Sequence, residues 1–112
     1  MILRVLIQLI LALGLEAQML SLAADQGTYT IVIKDHLFSP SPLMVPAGQK
    51  VKVTVDNQDP GAEEFESFDL NREKIVAGNK KIIVFIGPLK QGTYKYFGDF
   101  HQKTARGIIV AQ

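Results

Sequence analysis

The sequence has no cysteine and only two histidines among its 112 residues. Without cysteine the chain forms no disulfide bond, so a small exported domain must hold its core by packing or with help from a bound ion. A thiolate-ligated metal centre is excluded as well, because only cysteine supplies a thiolate. Any metal site in this chain has to use other donors, chiefly imidazole and carboxylate.

The chain also lacks an excess of charge of either sign. Twelve Lys and Arg residues against eleven Asp and Glu give a formal net charge of +1. No basic cluster is present, so we expect no nucleic-acid binding. The sequence contains no H-E-x-x-H, no Gly-rich phosphate loop and no Ser–His–Asp spacing that supports catalysis. A domain of this size offers little cleft for a small-molecule substrate, and we expect a protein that is not an enzyme.

No hydrophobic run is long enough to span a membrane, which takes about 20 apolar residues. The N-terminal run VLIQLILALGL covers residues 5–15 and is interrupted by Gln8. Arg4 precedes it, and the small residues Ser21 and Ala23 follow in an A-x-A-like arrangement. We therefore predict a cleavable signal peptide at residues 1–23, a mature domain at residues 24–112 and a periplasmic location. A retained N-terminal anchor is the alternative interpretation.

Short strands separated by turns fill the rest of the chain. In KVKVTVDN, three valines alternate with lysines and a threonine, and this period of two is typical of a half-buried strand. Turn signals such as SPSP, PAGQ, DPG and GPLKQG recur about every ten residues. The pattern predicts an all-β sandwich. The predicted strands are residues 29–34, 50–57, 64–69, 73–77, 81–86, 93–98 and 107–111.

The apolar residues of these segments define the expected core. KIIVFI is apolar on both faces, which predicts a central strand, whereas EKIVA is expected at a sheet edge and a helical turn is the alternative for residues 63–70. Glu73 and Lys74 are expected to face solvent. Core or near-core positions are assigned to Met44 and to seven aromatics: Phe38, Phe65, Phe68, Phe85, Tyr94, Tyr96 and Phe97.

Five segments, in their order, resemble the cupredoxin family. They are IVIKDHLFSP, LMVPAGQKVKVTV, DNQDPGAEEFE, LKQGTYKYFGDFH and GIIVA, and together they cover nearly all of the predicted mature chain. The resemblance implies a Greek-key β-sandwich of about seven to eight strands, with metal-ligand loops at one pole.

Two further segments, EEFESFDLNREK and GDFHQKTARG, are similar to a subgroup of small periplasmic cupredoxin-like proteins. That subgroup is associated with bacterial iron uptake, beside a high-affinity iron permease of the inner membrane. The resemblance implies the same role and the same kind of partner for this chain.

The chain departs from the blue-copper site, which uses two His, one Cys and a weak axial Met. His101 can take the place of the second His, but Gly98 stands where a C-x-x-H spacing would put the Cys. Thr104 or Ala105 stands where the Met would be, and acid replaces the first His, as Glu63 or Glu64. A type 1 copper centre is therefore not expected.

The residues left at that pole predict a site of harder ligands. We expect Glu64 and His101 to be primary ligands, with His36, Glu66 and Asp99 as candidates for the remaining positions. Glu64 and Glu66 share a face of an alternating strand, so they can present two carboxylates to one ion. Imidazole and carboxylate suit Cu(II) or an iron ion, as well as Zn(II) or Mn(II), and disfavour Cu(I).

Two functions are compatible with these features. The first is a periplasmic metal-binding protein that assists iron uptake, with copper as a further candidate ion. The second is a sandwich without metal that docks on a membrane permease or another partner, in which the acids form a solvated strand end and the histidines are loop residues. A homodimer is compatible with both.

The missing thiolate gives a spectroscopic prediction. Protein saturated with Cu(II) should lack the intense visible absorption of a thiolate–copper bond and show only the weak bands of nitrogen and oxygen ligands. Visible absorption of the Cu(II)-saturated protein, read against free Cu(II) at equal concentration, checks this. An intense blue solution would contradict it.

Overall fold

The computed structural model describes residues 28–112, so the predicted signal peptide lies outside the described residues. Nine strands and one short 3-10 helix make up this part of the chain. The elements are β1 Tyr29–Lys34, β2 Leu37–Ser39, β3 Leu43–Val45, β4 Val51–Asn57, β5 Glu63–Ser67, β6 Arg72–Val76, β7 Lys81–Ile86, β8 Gly92–Gly98, the 3-10 turn Asp99–His101 and β9 Arg106–Ala111. Within residues 28–112 no helix has the length and apolar character needed to cross a membrane.

The strands form two sheets that face each other. One sheet has four strands in the order β2-β1-β4-β7, and the other has five in the order β3-β9-β8-β5-β6. Strands β1 and β4 pair in parallel, as do β3 and β9, whereas the other neighbours are antiparallel. The all-β sandwich is confirmed. Each predicted strand is present, and β2 and β3 are additional short strands.

The core lies between the sheets and follows the alternation of the strands. Val51, Val53 and Val55 of β4 are at most 3% exposed, while Lys52 between them is exposed. Phe38, Phe65 and Tyr96 pack against one another, with ring centroids 5.1 to 6.4 Å apart. All three were predicted to lie in the core and are buried there. Each Å² of apolar area removed from water stabilises the fold by about 25 cal/mol.

Several residues that we predicted to lie in the core are exposed. The largest error concerns β7, which we predicted to be a central strand. This strand lies at the edge of the four-stranded sheet rather than at its centre, and it exposes Ile83 at 40% and Phe85 at 47%. Its free edge is covered by β6, where Arg72 donates to the Phe85 carbonyl and Lys74 to the Ile83 carbonyl. Lys50 lies over the Phe85 ring. Cations therefore protect an apolar edge that the sequence pattern places inside.

Phe68 and Met44 are the other exposed residues that we expected in the core. Phe68 follows β5 and is 78% exposed, with its ring 5.5 Å from that of Phe97. Met44 points outward from β3 between the buried Leu43 and Val45. Alternation within a three-residue strand leaves one side chain outside whatever its hydropathy.

The fold brings three separate segments to one pole of the sandwich. The turn between β1 and β2 contains Asp35 and His36, both with positive φ, at 53° and 59°. β5 begins at Glu63, and the 3-10 turn after β8 ends at His101. Because β5 pairs with β8 through Phe65 and Gly98, the start of β5 lies beside that turn.

Tyr96 gives a prediction about stability. Its side chain is 1% exposed, and among residues 28–112 its hydroxyl has no hydrogen-bond partner. Burial also raises the pKa of this phenol. Since a buried unpaired hydroxyl destabilises a fold by about 1–3 kcal/mol, we expect Tyr96→Phe to leave the free energy of unfolding unchanged or to raise it by about 1 kcal/mol.

Tyr94→Phe is the matched control, because the Tyr94 hydroxyl donates to the Lys90 carbonyl at 2.8 Å. Loss of this hydrogen bond should lower the free energy of unfolding by about 0.5–1 kcal/mol. Urea unfolding of the two variants measures both values. A larger loss from Tyr96→Phe than from Tyr94→Phe would show that the buried hydroxyl is hydrogen-bonded.

Candidate metal site

Glu63 is the buried carboxylate around which the pole is organised. The residue is 2% exposed. Its Oε1 accepts hydrogen bonds from the backbone N–H groups of Glu64 and Phe100, each at 2.9 Å. Its Oε2 lies 2.6 Å from Nδ1 of His101. Because a carboxylate only accepts hydrogen bonds, Nδ1 is the donor in this contact.

His36 lies on the other side of His101. The two imidazole rings stack with centroids 3.6 Å apart and planes 14° from parallel. The side chain of His36 is 48% exposed and that of His101 is 33% exposed. The two histidines of the chain therefore meet from distant segments, and both side chains are partly exposed.

Asp59 holds the turn that carries His36. Its carboxylate accepts the backbone N–H groups of Asp35 and His36 at 2.8 and 3.0 Å and lies 3.5 Å from Nδ1 of His36. Burial by itself raises the pKa of Asp59. The two backbone N–H bonds and the nearby imidazoles of His36 and His101 outweigh burial, so the pKa lies below its usual range.

Asn57 in turn fixes the loop that contains Asp59. Its Oδ1 accepts the backbone N–H of Asp59, and its amide nitrogen donates to the carbonyls of Gly61, Val76 and Ala77. Asn57 is 1% exposed. The resemblance placed this Asn at the start of a ligand loop. The roles of Asn57 and Asp59 in supporting His36 were missed, although the N-x-D spacing in a turn is a signal for such bonds.

One donor atom from each of His36, Glu63 and His101 lies within 4.8 Å of the others. Ligands of a single transition-metal ion have bonds of about 2.0–2.2 Å, so donor atoms this close can share one cation once the stacked imidazoles rotate to direct their in-plane lone pairs at it. Two imidazoles and a carboxylate, partly open to solvent, fit Cu(II), Fe(II) or Zn(II). The set holds no sulfur, which excludes a type 1 copper centre.

Glu64, Glu66 and Asp99 form a second group on the opposite face of β5. One carboxylate oxygen of each lies within 4.8 Å of the others. Glu73 lies opposite Glu66 on β6. A hydrogen bond with Glu73, partial burial and the charges of Glu73, Asp99 and Glu66 raise the pKa of Glu64 to about 7. Partial burial, together with Asp99 and Glu73, also raises the pKa of Glu66.

The structure thus divides the five predicted ligands between two groups. His36 and His101 come together as expected, and Glu64, Glu66 and Asp99 come together beside them. Glu64 and His101 lie in different groups. Of the two acids left open at this position, Glu63 is the one beside His101.

Strand alternation explains why Glu63 and Glu64 lie in different groups. Phe65 is 1% exposed and points into the core, so residues two positions away on β5 point inward as well. Glu63 and Ser67 share that face, whereas Glu64 and Glu66 lie on the other. The prediction that Phe65 is a core residue already contained this signal.

Comparison with known proteins identifies the family. The sequence profile of the Cupredoxin-like domain matches residues 3–111. The chain belongs to this family. An uncharacterized protein of Rickettsia prowazekii (strain Madrid E) is 50% identical over 80 residues, which are 71% of this chain and 64% of that protein. The cupredoxin-like chain thus spans just under two thirds of that relative's length.

Solved structures agree with the fold at low sequence identity. Auracyanin A, a "blue" copper protein from Chloroflexus aurantiacus, superposes with a TM-score of 0.65 at 17% identity, over 77% of this chain and 98% of its own. The purple cupredoxin from Nitrosopumilus maritimus gives 0.60 at 21%, over 75% and 99%. The metal-binding domain of the Streptococcus pneumoniae Cu(I)-exporting ATPase CopA gives 0.67 at 11%, over 76% and 84%. At these identities the likeness concerns the fold alone.

The raised pKa of Glu64 gives a prediction about pH. The folded state holds a proton on Glu64 up to about pH 7, while the unfolded chain releases it near pH 4.5. The folded state thus binds more protons between these values, so this group lowers stability as pH rises from about 4.5 to 7. Glu73→Gln removes the main cause of the raised Glu64 pKa. The free energy of unfolding of this variant, relative to that of the parent, should therefore increase from about pH 4.5 to pH 7.

Urea unfolding at several pH values measures the difference. Asp56→Asn is the control, because it removes one carboxylate from β4 of the other sheet. A stability difference between Glu73→Gln and the parent that stays constant from pH 4.5 to 7 would contradict the prediction.

Proposed function

We propose that this cupredoxin-like protein binds a transition-metal ion at His36, Glu63 and His101 and serves bacterial iron uptake in the periplasm. The observation that carries the proposal is the convergence of both histidines with a buried carboxylate. The likeness of EEFES and GDFH to the iron-uptake subgroup supports the physiological role. The proposed ion is Cu(II) or iron, and iron is the cargo where the protein serves its transport.

The buried contacts support a binding role because they hold the donors in place before an ion arrives. Glu63 is fixed by two backbone N–H groups, and the backbone of His36 is fixed by Asp59. Preorganised ligands lose less conformational freedom on binding, which favours affinity. A cation replaces the proton of His101 Nδ1 next to Glu63, so protons compete with the metal at this site.

The proposed role is that of a carrier rather than an enzyme. The proposed partner is an inner-membrane iron permease, which would receive the ion from the exposed edge of the two imidazoles. Purification of the protein from its own periplasm followed by elemental analysis identifies the native metal. Growth of a deletion strain under iron limitation tests the physiological role.

A metal-free interaction module is the second candidate, and the exposed aromatics favour it. Phe68 is 78% exposed and Phe100 is 47% exposed, and Phe68 contacts Phe97. Such side chains occur at docking surfaces. A melting temperature that no metal changes would favour this candidate, because a ligand that binds only the folded state raises the melting temperature.

The metal proposal predicts which substitutions weaken binding. Titration with Cu(II), Fe(II), Zn(II) and Mn(II) should give a Kd of about 1 μM or tighter for at least one ion, equivalent to about −8 kcal/mol. Glu63→Gln and His101→Ala should each raise the Kd by about tenfold or more, because the first removes the negative charge of one ligand and the second removes one imidazole donor. Isothermal titration calorimetry measures these constants.

Glu64→Gln and Asp99→Asn are the matched controls, since they alter the second group. They should change the affinity much less. Loss of binding only in these two variants would show that the ion binds at the Glu64, Glu66 and Asp99 group instead. Absence of binding by the parent protein would exclude a metal-binding function.

A further inference from the structure

The outer face of the five-stranded sheet carries opposite charges on its two halves. Glu73 of β6 pairs with Glu66 of β5, and Glu66 pairs in turn with Phe97 of β8. On the next strand, Arg106 of β9 pairs with Phe97. One row across four strands thus runs from two acids through an aromatic ring to a cation. Because neighbouring strands lie about 4.8 Å apart, the row is about 14 Å long.

These charges have no partner of opposite sign within residues 28–112, where the ion pairs are those of the two histidines. The acids lie beside other acids of the same face. Arg106 donates through Nε to the carbonyl of Gln102, which carries no charge, and Lys95 on the neighbouring strand is exposed. A face with an acidic half and a cationic half is complementary to a second copy of itself.

A cleft and an exposed aromatic ring lie on the same face. The cleft has a volume of about 310 Å³, and its lining includes Lys95, Phe97 and Arg106. Phe68 stands beside it and is 78% exposed. Asp69 also lines the cleft, but its carboxylate accepts the backbone N–H of Lys95 at 2.8 Å. A cleft with an aromatic wall and two cations fits an incoming aromatic ring through apolar and cation–π contacts.

We propose that this face is the interface of a homodimer in which two copies of the chain pack sheet against sheet. A two-fold axis parallel to the strands, between β5 and β8, places β9 of one copy over β6 of the other. Arg106 of each copy then meets Glu73 of the other. Phe68 of each copy enters the cleft of the other beside Lys95. Each contact occurs twice, because a two-fold interface uses the same patch of both copies.

The extent of the contact predicts a weak dimer. It covers the row described above and the adjoining Phe68 and Lys95, while Glu64 and Asp99 lie beyond it at the pole end of the face. Interfaces that bury less than about 1,200 Å² in total form weak complexes, so we expect a dimer Kd on the order of 10–100 μM. Since salt screens exposed charges, the Kd should rise with ionic strength.

Sedimentation equilibrium of the protein expressed from the full-length chain measures the dimer. Arg106→Glu and Glu73→Arg should each raise the dimer Kd by about tenfold or more, because each places like charges opposite one another twice. Lys52→Glu is the matched control. It changes the net charge as Arg106→Glu does, but on an exposed position of β4 in the other sheet, and it should leave the Kd near that of the parent.

An equimolar mixture of the two charge-reversal variants distinguishes a direct contact from a general loss of structure. In a mixed dimer, Glu73 of the first variant meets Arg106 of the second, and the introduced arginine meets the introduced glutamate. Both pairs are then opposite in charge, so the mixture should dimerise with a Kd near that of the parent. Neither variant alone should do so. Should either variant not fold, Phe68→Ser replaces it, because this exposed side chain supports no core contact, and it should also raise the Kd.

The outcomes that overturn the proposal are separate from those of the metal titration. All measurements use EDTA-treated protein, so the dimer is tested whether or not the parent binds an ion. A parent that stays monomeric at about 1 mM, well above the expected Kd, would overturn the proposal. A parent dimer that neither charge reversal weakens would overturn it as well, and so would the absence of mixed dimers from two folded variants.

Discussion

The contact between the buried Glu63 carboxylate and His101 is the constraint on which the pole of this sandwich depends. An ionised group that is removed from water destabilises the fold unless hydrogen bonds and a partner charge compensate. Glu63 has three donors, and two of them are backbone N–H groups of different segments. Its carboxylate thereby joins the start of β5 to the turn after β8. The position of His101 follows from that junction rather than from the 3-10 turn alone.

Asp59 performs the equivalent task for the other histidine. It accepts two N–H groups of the β1–β2 turn, where positive φ at Asp35 and His36 directs both groups to one carboxylate. Asx side chains commonly stabilise turns in this way. Two acids of low exposure therefore hold two histidines that lie 65 positions apart in the chain, and the imidazoles stack where the two supports meet. Each carboxylate accepts hydrogen bonds from backbone N–H groups and also lies next to an imidazole ring.

The sequence predicts strands well and the site only in part. Period-two patterns in YTIVIK and KVKVTV identify strands because burial on one face repeats every second residue. The same periodicity makes the site sensitive to a shift of one residue, since neighbours on a strand point to opposite sheet faces. Glu63 and Glu64 are neighbours on β5, so one lies on the inner face and the other on the outer face. For β7, the pattern of KIIVFI could not show that cations of β6 cover its edge.

The two faces of β5 also differ in how their charge is compensated. On the inner face, N–H groups and an imidazole surround one carboxylate. On the outer face, Glu64, Glu66, Glu73 and Asp99 lie together, and protonation of Glu64 up to about pH 7 relieves their repulsion. A cation at either face would compete with protons, but among residues 28–112 the imidazoles lie with the inner group and the outer group has carboxylates alone. The strand β5 thus separates a group with imidazole and carboxylate side chains from a group with carboxylates alone.

A shared fold does not decide which metal a cupredoxin-like domain holds. Domains described as a blue copper protein, a purple cupredoxin and a Cu(I)-exporter domain superpose on this chain at 11 to 21% identity. Function resides in a few side chains placed on the common scaffold. In this chain a Cβ at residue 98 would lie 2.6 Å from Cδ of Glu63 as that side chain is now placed. The missing cysteine is therefore not a simple loss, because the space it would need is filled by a carboxylate with its own hydrogen bonds.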